Sequence, residues 1–260
     1  MPTIILEGER LHYRVPEGGL RPAGPPLVLV HGAGGNLMHW PGELRRLPEH
    51  TVYALDLPGH GGSGGRGRAE IAAYVEVVRG FADALGLPAF VLAGHSMGGG
   101  IAQECALRYP GRVAGLVLVG TGARLRVAPQ FLAGVLDDFA ATTALLATWT
   151  HGERADPNLL RLYLRRLREV DPQVLHGDFV ACDAFDRVAD VAHITVPTLI
   201  LCGDADRMTP VKYSRYLAAQ IAGAQLVEVP GAGHMVALEQ PAVVAEAVAR
   251  FLDGLMRLGG

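Results

Sequence analysis

The sequence predicts an α/β fold: a largely parallel sheet, helices packed against it, and a helical segment inserted late in the chain. Three observations carry this. Short apolar runs such as Leu27-Val28-Leu29-Val30 are continuous rather than alternating, as strands covered on both faces require. Stretches with helical spacing separate these runs, and that alternation builds a parallel sheet. Residues 121–196 then hold helical patches and no convincing strand before the alternation resumes.

Thr3–Leu6 and residues 10–15 read as two short strands, joined as a hairpin through Glu7-Gly8-Glu9. A Gly/Pro-rich loop over 17–26 leads to strand Leu27–Val30, which empties into His31-Gly32-Ala33-Gly34-Gly35. Such a loop can cradle a phosphate, but the G-x-G-x-x-G register fails at Leu37. The better reading is a loop with backbone N–H groups exposed at the sheet's C-terminal edge. Strand Val52–Leu55 runs into Asp56-Leu57-Pro58-Gly59-His60, where Asp56 and His60 read as turn residues rather than a catalytic pair. Residues 70–85 have helical spacing through Ile71, Val75, Val78, Phe81 and Leu85 and stop at Gly86. A buried strand over 90–93 and a helix over 101–109 follow, then another buried strand over 115–119. Helical patches cover 129–139, 142–149, 158–170 and 172–185. Strand 198–202, helix 211–221, strand Gln225–Val229 and helix Pro241–Leu258 complete the chain. The helical insertion leaves the sheet's C-terminal edge, where ligands bind in open α/β sheets, so it is expected to act as a lid.

The 260 residues suit one large domain or a core with an insertion, and 50% hydrophobic content is ample for its core. A net charge of −3 gives no reason to expect nucleic acid. Cys105, Cys182 and Cys202 are odd in number, match no metal-ligand spacing and read as reduced, buried thiols. The N-terminus lacks the pattern of a signal peptide, and no apolar stretch is long enough to span a bilayer. The expectation is a cytoplasmic monomer or homodimer with no membrane partner, metal or cofactor.

The chemistry gathers where strands end. Gly94-His95-Ser96-Met97-Gly98 has the G-x-S-x-G spacing of a nucleophile elbow, and it lies between a buried strand and a helix. A strand turning straight into a helix holds its serine in a strained conformation above the sheet edge. Cβ atoms two residues either side would collide, so glycine is needed there. The new helix points free N–H groups at the serine, and the Met97 N–H can help hold a developing oxyanion. Two later loops supply the partners: Gly203-Asp204-Ala205-Asp206 after one strand and Gly231-Ala232-Gly233-His234 after the next. A serine hydroxyl needs a base at neutral pH; His234 would take its proton and return it to the leaving group. A carboxylate would hold the imidazole in the right tautomer. Asp204 and Asp206 both sit in the right loop; Asp206 is favoured, since Asp204 is placed to bond its own turn.

Over nearly its whole length the chain resembles the α/β-hydrolase superfamily. The likeness rests on His31-Gly32-Ala33-Gly34, Asp56-Leu57-Pro58-Gly59-His60-Gly61, the Ser96 elbow, Gly203-Asp204-Ala205-Asp206 and Gly231-Ala232-Gly233-His234. The resemblance implies an eight-stranded, mostly parallel sheet, with a core of residues 1–121 and 196–260 and a helical cap over 122–195. It places the acid at Asp206 and the oxyanion donors at the backbone N–H groups of Ala33 and Met97.

Within the superfamily, Ser96 argues against the dehalogenase and epoxide hydrolase branches, which carry aspartate at the elbow. Ala33 stands where haloperoxidase-like members carry an aromatic residue. His95 and Met235 replace the Asn and Trp of the carbon–carbon bond hydrolases. The Gly233-His234-Met235-Val236-Ala237-Leu238-Glu239-Gln240-Pro241 segment looks like small carboxylesterases and enol-lactonases. The expectation is therefore hydrolysis of a small to medium carboxylic ester with an apolar acyl group, through an acyl-enzyme. The alternatives on the same triad are a carbon–carbon bond hydrolase, an enol-lactonase or an acyl-carrier-protein ester hydrolase. A hydroxynitrile lyase or a non-catalytic binding module ranks below these. Phe131, Phe139 and Trp149 are the cap residues expected to line an acyl pocket, although most apolar cap residues should simply pack helix on helix. Arg161, Arg165 and Arg168 fall at i, i+4, i+7 and share a helix face. An ordinary solvated face is the plain reading, and docking of an acidic partner, such as a carrier protein, or of an anionic substrate is the sharper one.

Overall fold

The computed structural model describes residues 2–15 and 24–258, and for Leu258 its backbone only. Most of the Gly/Pro-rich loop over 17–26 therefore lies outside the described residues. Eight strands form one sheet: β1 Thr3–Leu6, β2 Glu9–Arg14, β3 Leu27–Val30, β4 Val52–Leu55, β5 Phe90–His95, β6 Val113–Val119, β7 Thr198–Gly203 and β8 Gln225–Val229. Their order is β1-β2-β4-β3-β5-β6-β7-β8. β1 and β2 pair antiparallel with each other, β2 pairs antiparallel with β4, and every later pairing is parallel. The central strands β3, β4, β5 and β7 are buried at every position, which is why they read as unbroken apolar runs. Edge strands β1 and β8 are mostly half-exposed, and β1 alternates.

Helices α1 Gly42–Arg45, α2 Ile71–Ala84, α3 Met97–Arg108, α8 Val211–Gln220, the one-turn α9 Val236–Glu239 and α10 Pro241–Leu258 flank the sheet. Val75, Val78 and Phe81 of α2, Ile101 and Cys105 of α3 and Leu217 of α8 form the core on one sheet face. Leu44 of α1, fully buried Trp40, and Val244, Val248 and Phe251 of α10 form the core on the other. The result is a three-layer sandwich.

Between β6 and β7 lie four further helices, α4 Pro129–Asp137, α5 Phe139–Thr150, α6 Pro157–Leu167 and α7 Pro172–Ala184. Proline opens α4, α6 and α7 at the first turn, and Asp138, Asp156 and Asp171 cap α5, α6 and α7. Phe131, Val135, Leu146, Tyr163, Leu167, Leu175 and Phe179 make a third apolar cluster. Met235, from the loop after β8, joins it, so these helices are packed onto the C-terminal edge of the sheet. Two of the apolar residues in this segment do not pack: Leu136 and Leu145 are 45% and 41% exposed. Among the described residues no helix is long and apolar enough to cross a membrane.

The expected elements appear in order, the one-turn helices α1 and α9 are additional to them, and one shift is informative. α3 begins at Met97 rather than at 101, so Gly98, Gly99 and Gly100 lie inside its first turns. A run of three glycines reads as a break in a helix. Here it lets the helix start touch the sheet: a Cβ on Gly98 would run into the Val30 carbonyl, and one on Gly94 into the Gly98 carbonyl.

Candidate active site

Ser96 sits at the turn from β5 into α3 with φ 53° and ψ −114°, a backbone conformation that a non-glycine residue rarely adopts. The surrounding bonds hold it there. The Ser96 N–H donates to the Val119 carbonyl at 2.9 Å, and the Ser96 carbonyl accepts from the Gly99 and Gly100 N–H groups and from the Thr121 hydroxyl. The chain leaves β3 towards β4 and leaves the adjacent β5 towards β6, in opposite directions, so Ser96 at the end of β5 stands at a topological switch point. Ala33 lies in the loop after β3 and lines the cavity beside Ser96. Among the described residues the N–H groups of Ala33 and Met97 have no intramolecular acceptor. The Ala33 peptide is fixed through its other end. The Gly32 carbonyl accepts from the Gly35 N–H at 3.0 Å and from His31 Nδ1 at 2.8 Å. The Leu57 N–H donates to His31 Nε2, which puts the ring proton on Nδ1. Burial, and then the neighbouring His60, hold His31 well below the usual histidine range, so it serves as a neutral strut.

His234 follows β8, and its Nδ1 lies 2.9 Å from Asp206 Oδ2. Asp206 Oδ1 accepts from the Met208 and Thr209 N–H groups at 2.8 and 2.9 Å, and the Thr209 hydroxyl donates to Oδ2 at 2.8 Å. Burial pushes the Asp206 carboxyl up, but the His234 ring and these donors outweigh it and leave the group below its ordinary value. An ionised Asp206 makes His234 Nδ1 the donor and leaves Nε2 with its lone pair. Asp204 is engaged elsewhere: it accepts from the Gly231 N–H at 2.6 Å and ties the two loops together. His95 packs its ring 4.8 Å from that of His234, and its Nε2–H donates to the His234 carbonyl at 3.0 Å. Burial, then His234, bring His95 down to about 3, so no competing charge stands beside the base.

Two adjoining chambers share Ser96, Ala33, Phe179 and Met208. The inner one, about 40 Å³, is closed by Leu146, Leu167, Leu175 and Met235 and carries His39, Thr150 and Tyr163 as its polar side. The outer one, about 120 Å³, is lined by Leu125, Val127, Phe131 and Trp149, with Arg126 and Arg207 at its rim. Among the described residues no group of three or more His, Cys, Asp or Glu side chains is arranged to hold a metal ion.

Residues 27–247 match the model of the alpha/beta hydrolase family. The chain belongs to the α/β-hydrolase family. Among its curated relatives is the dihydrolipoyllysine-residue acetyltransferase component of the acetoin cleaving system of Pseudomonas putida, 33% identical over 88% of this chain. The match spans only 64% of that longer protein. A pimeloyl-[acyl-carrier protein] methyl ester esterase of Yersinia pseudotuberculosis is 30% identical over 87% of this chain and 93% of its own. The solved structure of a thermophilic esterase, 30% identical, superposes with a TM-score of 0.86 over 98% of this chain and 97% of that one.

The α/β-hydrolase frame brings Ser96, His234, Ala33 and Met97 to one edge, with Asp206 behind His234. Phe131 and Trp149 line the outer chamber, their rings meeting edge-on at 5.5 Å. Phe139 does not reach either chamber. It opens α5 directly after its cap Asp138 and packs, half-buried, on the flank of the cluster formed by the four helices. Asp56 and His60 form no pair: Asp56 accepts from His12 and from the Leu37 and Gly62 N–H groups, while His60 turns to Asp178. The three cysteines are buried free thiols. His39 reads as one of the scattered histidines without metal-ligand spacing and His95 only as the residue before the nucleophile, while Tyr163, Thr209 and Asp178 carry no reading of their own. Only Thr209 had a signal, three residues after an aspartate, the spacing at which a side chain and a turn bond one another. Asp178 and His95 meet partners far away in the chain, and Tyr163 meets the distant His39 as well as the nearer His151.

Proposed function

We propose that the protein is a carboxylic ester hydrolase with Ser96 as nucleophile, His234 as general base and acid, and Asp206 as the carboxylate that orients and stabilises it. The observation that carries this reading is the buried Asp206–His234 pair, whose imidazole opens onto the chamber that Ser96 also lines. His234 Nε2 takes the Ser96 proton as Oγ attacks the ester carbonyl carbon. The resulting oxyanion accepts from the Ala33 and Met97 N–H groups, each worth on the order of 10²–10³ in rate. Collapse expels the alkoxide, which takes the proton from His234. Water, deprotonated by His234, then cleaves the acyl-enzyme and releases the acid.

The two chambers support an asymmetric substrate, the inner one, about 40 Å³, suiting a short arm. The outer chamber is three times larger and mostly apolar, so the ester has one short arm and one longer apolar arm. The esterase names among the relatives support the chemistry, and the relative acting on a carrier-bound methyl ester has this kind of asymmetry. Its acidic-carrier reading extends to α6, whose Arg161, Arg165 and Arg168 are all exposed.

The test is hydrolysis of p-nitrophenyl esters and of methyl alkanoates over a range of acyl lengths, with Ser96→Ala as control. Turnover should depend on Ser96. The bulky p-nitrophenyl series should peak at short acyl chains and the methyl series at longer ones. Absence of Ser96-dependent turnover in both series rejects the esterase reading.

A further inference from the structure

One carboxylate from the covering helices reaches into the loop that carries Ala33. Asp178, on α7, is 0% exposed. Its Oδ2 accepts from the Gly34 N–H at 2.8 Å and from His60 Nε2 at 2.9 Å, and its Oδ1 accepts from the Tyr74 hydroxyl at 2.6 Å. His60 Nδ1 lies 3.0 Å from the Pro58 carbonyl. Both His60 nitrogens thus face acceptors, and the ring is an imidazolium paired with the buried Asp178. Burial alone would lower the His60 pKa, yet the Asp178 charge and hydrogen bond raise it above the ordinary value. Breaking such a pair is costly, because a lone buried charge is left behind.

Three pieces of the core converge on this one side chain: the loop after β3, the loop after β4 and helix α2. The first matters for chemistry. The Gly35 N–H bond to the Gly32 carbonyl closes a four-residue turn with Ala33 and Gly34 at its centre, and Gly34 has φ +59°. The central peptide of such a turn is its soft element, because rotating it converts one turn type into another. Asp178 holds that peptide by its N–H. Leu167 and Leu175, from α6 and α7, close over the same glycine and leave no room for a Cβ. The Gly34 N–H is thus held from α7, while the neighbouring peptide, which carries the Ala33 N–H, is held on the sheet side through the Gly32 carbonyl.

We propose that Asp178 is a positioning residue for the oxyanion hole: by holding the Gly34 N–H it fixes the turn next to the peptide that carries the Ala33 N–H, so the aim of that donor at the reacting carbonyl is sharpened when α7 is docked. Seating of the four helices and assembly of the oxyanion site are then coupled. This rests on the serine-esterase reading above.

Two double variants separate the Gly34 bond from the buried ion pair. Asp178→Asn with His60→Gln removes both charges but keeps an oxygen to accept from Gly34. Asp178→Leu with His60→Leu removes both charges and the acceptor. Each is measured for kcat and KM on p-nitrophenyl acetate and for binding of a short alkyl boronic acid, which forms a tetrahedral adduct on Ser96. Binding of phenyl propyl ether, which has no carbonyl, reports the chambers alone. The Asn/Gln pair should keep most of kcat. The Leu/Leu pair should lose about tenfold to a hundredfold in kcat, part of the cost of one lost donor, and boronate affinity should fall by a similar factor. KM and ether binding should stay within about threefold for a carbonyl-specific loss. A Leu/Leu pair as active as the Asn/Gln pair overturns the proposal, as does equal weakening of boronate and ether. Wild-type protein without Ser96-dependent turnover overturns the esterase reading instead.

Discussion

Asp206 and Asp204 are two residues apart in one loop, and their hydrogen bonds give them different work. Asp206 faces His234 with three donors already satisfying its oxygens, while Asp204 ties down Gly231. An amide at 206 would present an NH₂ group to His234 or force the imidazole into the other tautomer. Asp206→Asn should therefore lower kcat by on the order of 10⁴ with a much smaller change in KM. Asp204→Asn keeps an oxygen to accept from Gly231 and should stay within about tenfold, as a loop contact away from the reacting atoms. Steady-state kinetics on one p-nitrophenyl ester checks both, and equal losses would reject Asp206 as the orienting acid. Ser96 and His234 were legible because each follows a strand in a glycine-rich loop. The sequence favours Asp206 over Asp204, but the role it assigns Asp204 is a bond within its own turn, whereas Asp204 bonds the Gly231 N–H of the next loop, a meeting that no local spacing reports. Asp178 was illegible altogether: its partners are 104, 118 and 144 residues away, and no local pattern reports such a meeting.

Helix α6 shows how much of an element a period can tell. Tyr163 and Leu167 turn inward, and Arg161, Arg165 and Arg168 turn out, as the i, i+4, i+7 spacing requires. Among the described residues none of these three arginines pairs with a carboxylate; Arg161 bonds to Asn158. Three unneutralised charges on one face raise the encounter rate with an acidic partner and do little for a neutral small molecule. Replacing all three with Glu should cut kcat/KM for a carrier-bound methyl ester by tenfold or more at low salt, and leave p-nitrophenyl acetate within about twofold. Equal effects on both substrates would reduce the face to ordinary solvation. Which apolar residues of the neighbouring helices face inward was less legible. Helix α5 is apolar nearly all round, so Leu145 and Leu146 carry the same signal, yet one is exposed and the other buried. Tertiary packing decides that, and no period within the helix records it.

Across the molecule, the cluster of histidines makes folding sensitive to acid. Burial is the leading reason that His31 lies well below the ordinary histidine range and that His39 and His95 are brought to about 3; His151 is brought to about 4. Unfolding returns each ring to water, where it titrates near 6.5. Below that pH the unfolded chain binds protons that the folded chain excludes, so stability is held above about pH 6.5 and lost as pH falls towards the folded values. Each such ring costs about 1.4 kcal/mol per pH unit in that window. His60 has the opposite sign: its raised value contributes stability below about 6.5, lost as pH rises through the folded value, and at pH 5 it is charged in both states. Asp206, with a lowered value, holds its contribution until pH falls below about 4, so it does not act in the same window. Urea unfolding at pH 7, 6 and 5 should show stability falling with a slope that steepens to about three to four protons taken up on unfolding near pH 5. His39→Gln should remove about one proton from that slope, because the amide lines the same cavity without titrating. A flat profile between pH 6.5 and 5, or a slope unchanged by His39→Gln, would mean that these rings are not held neutral by the fold.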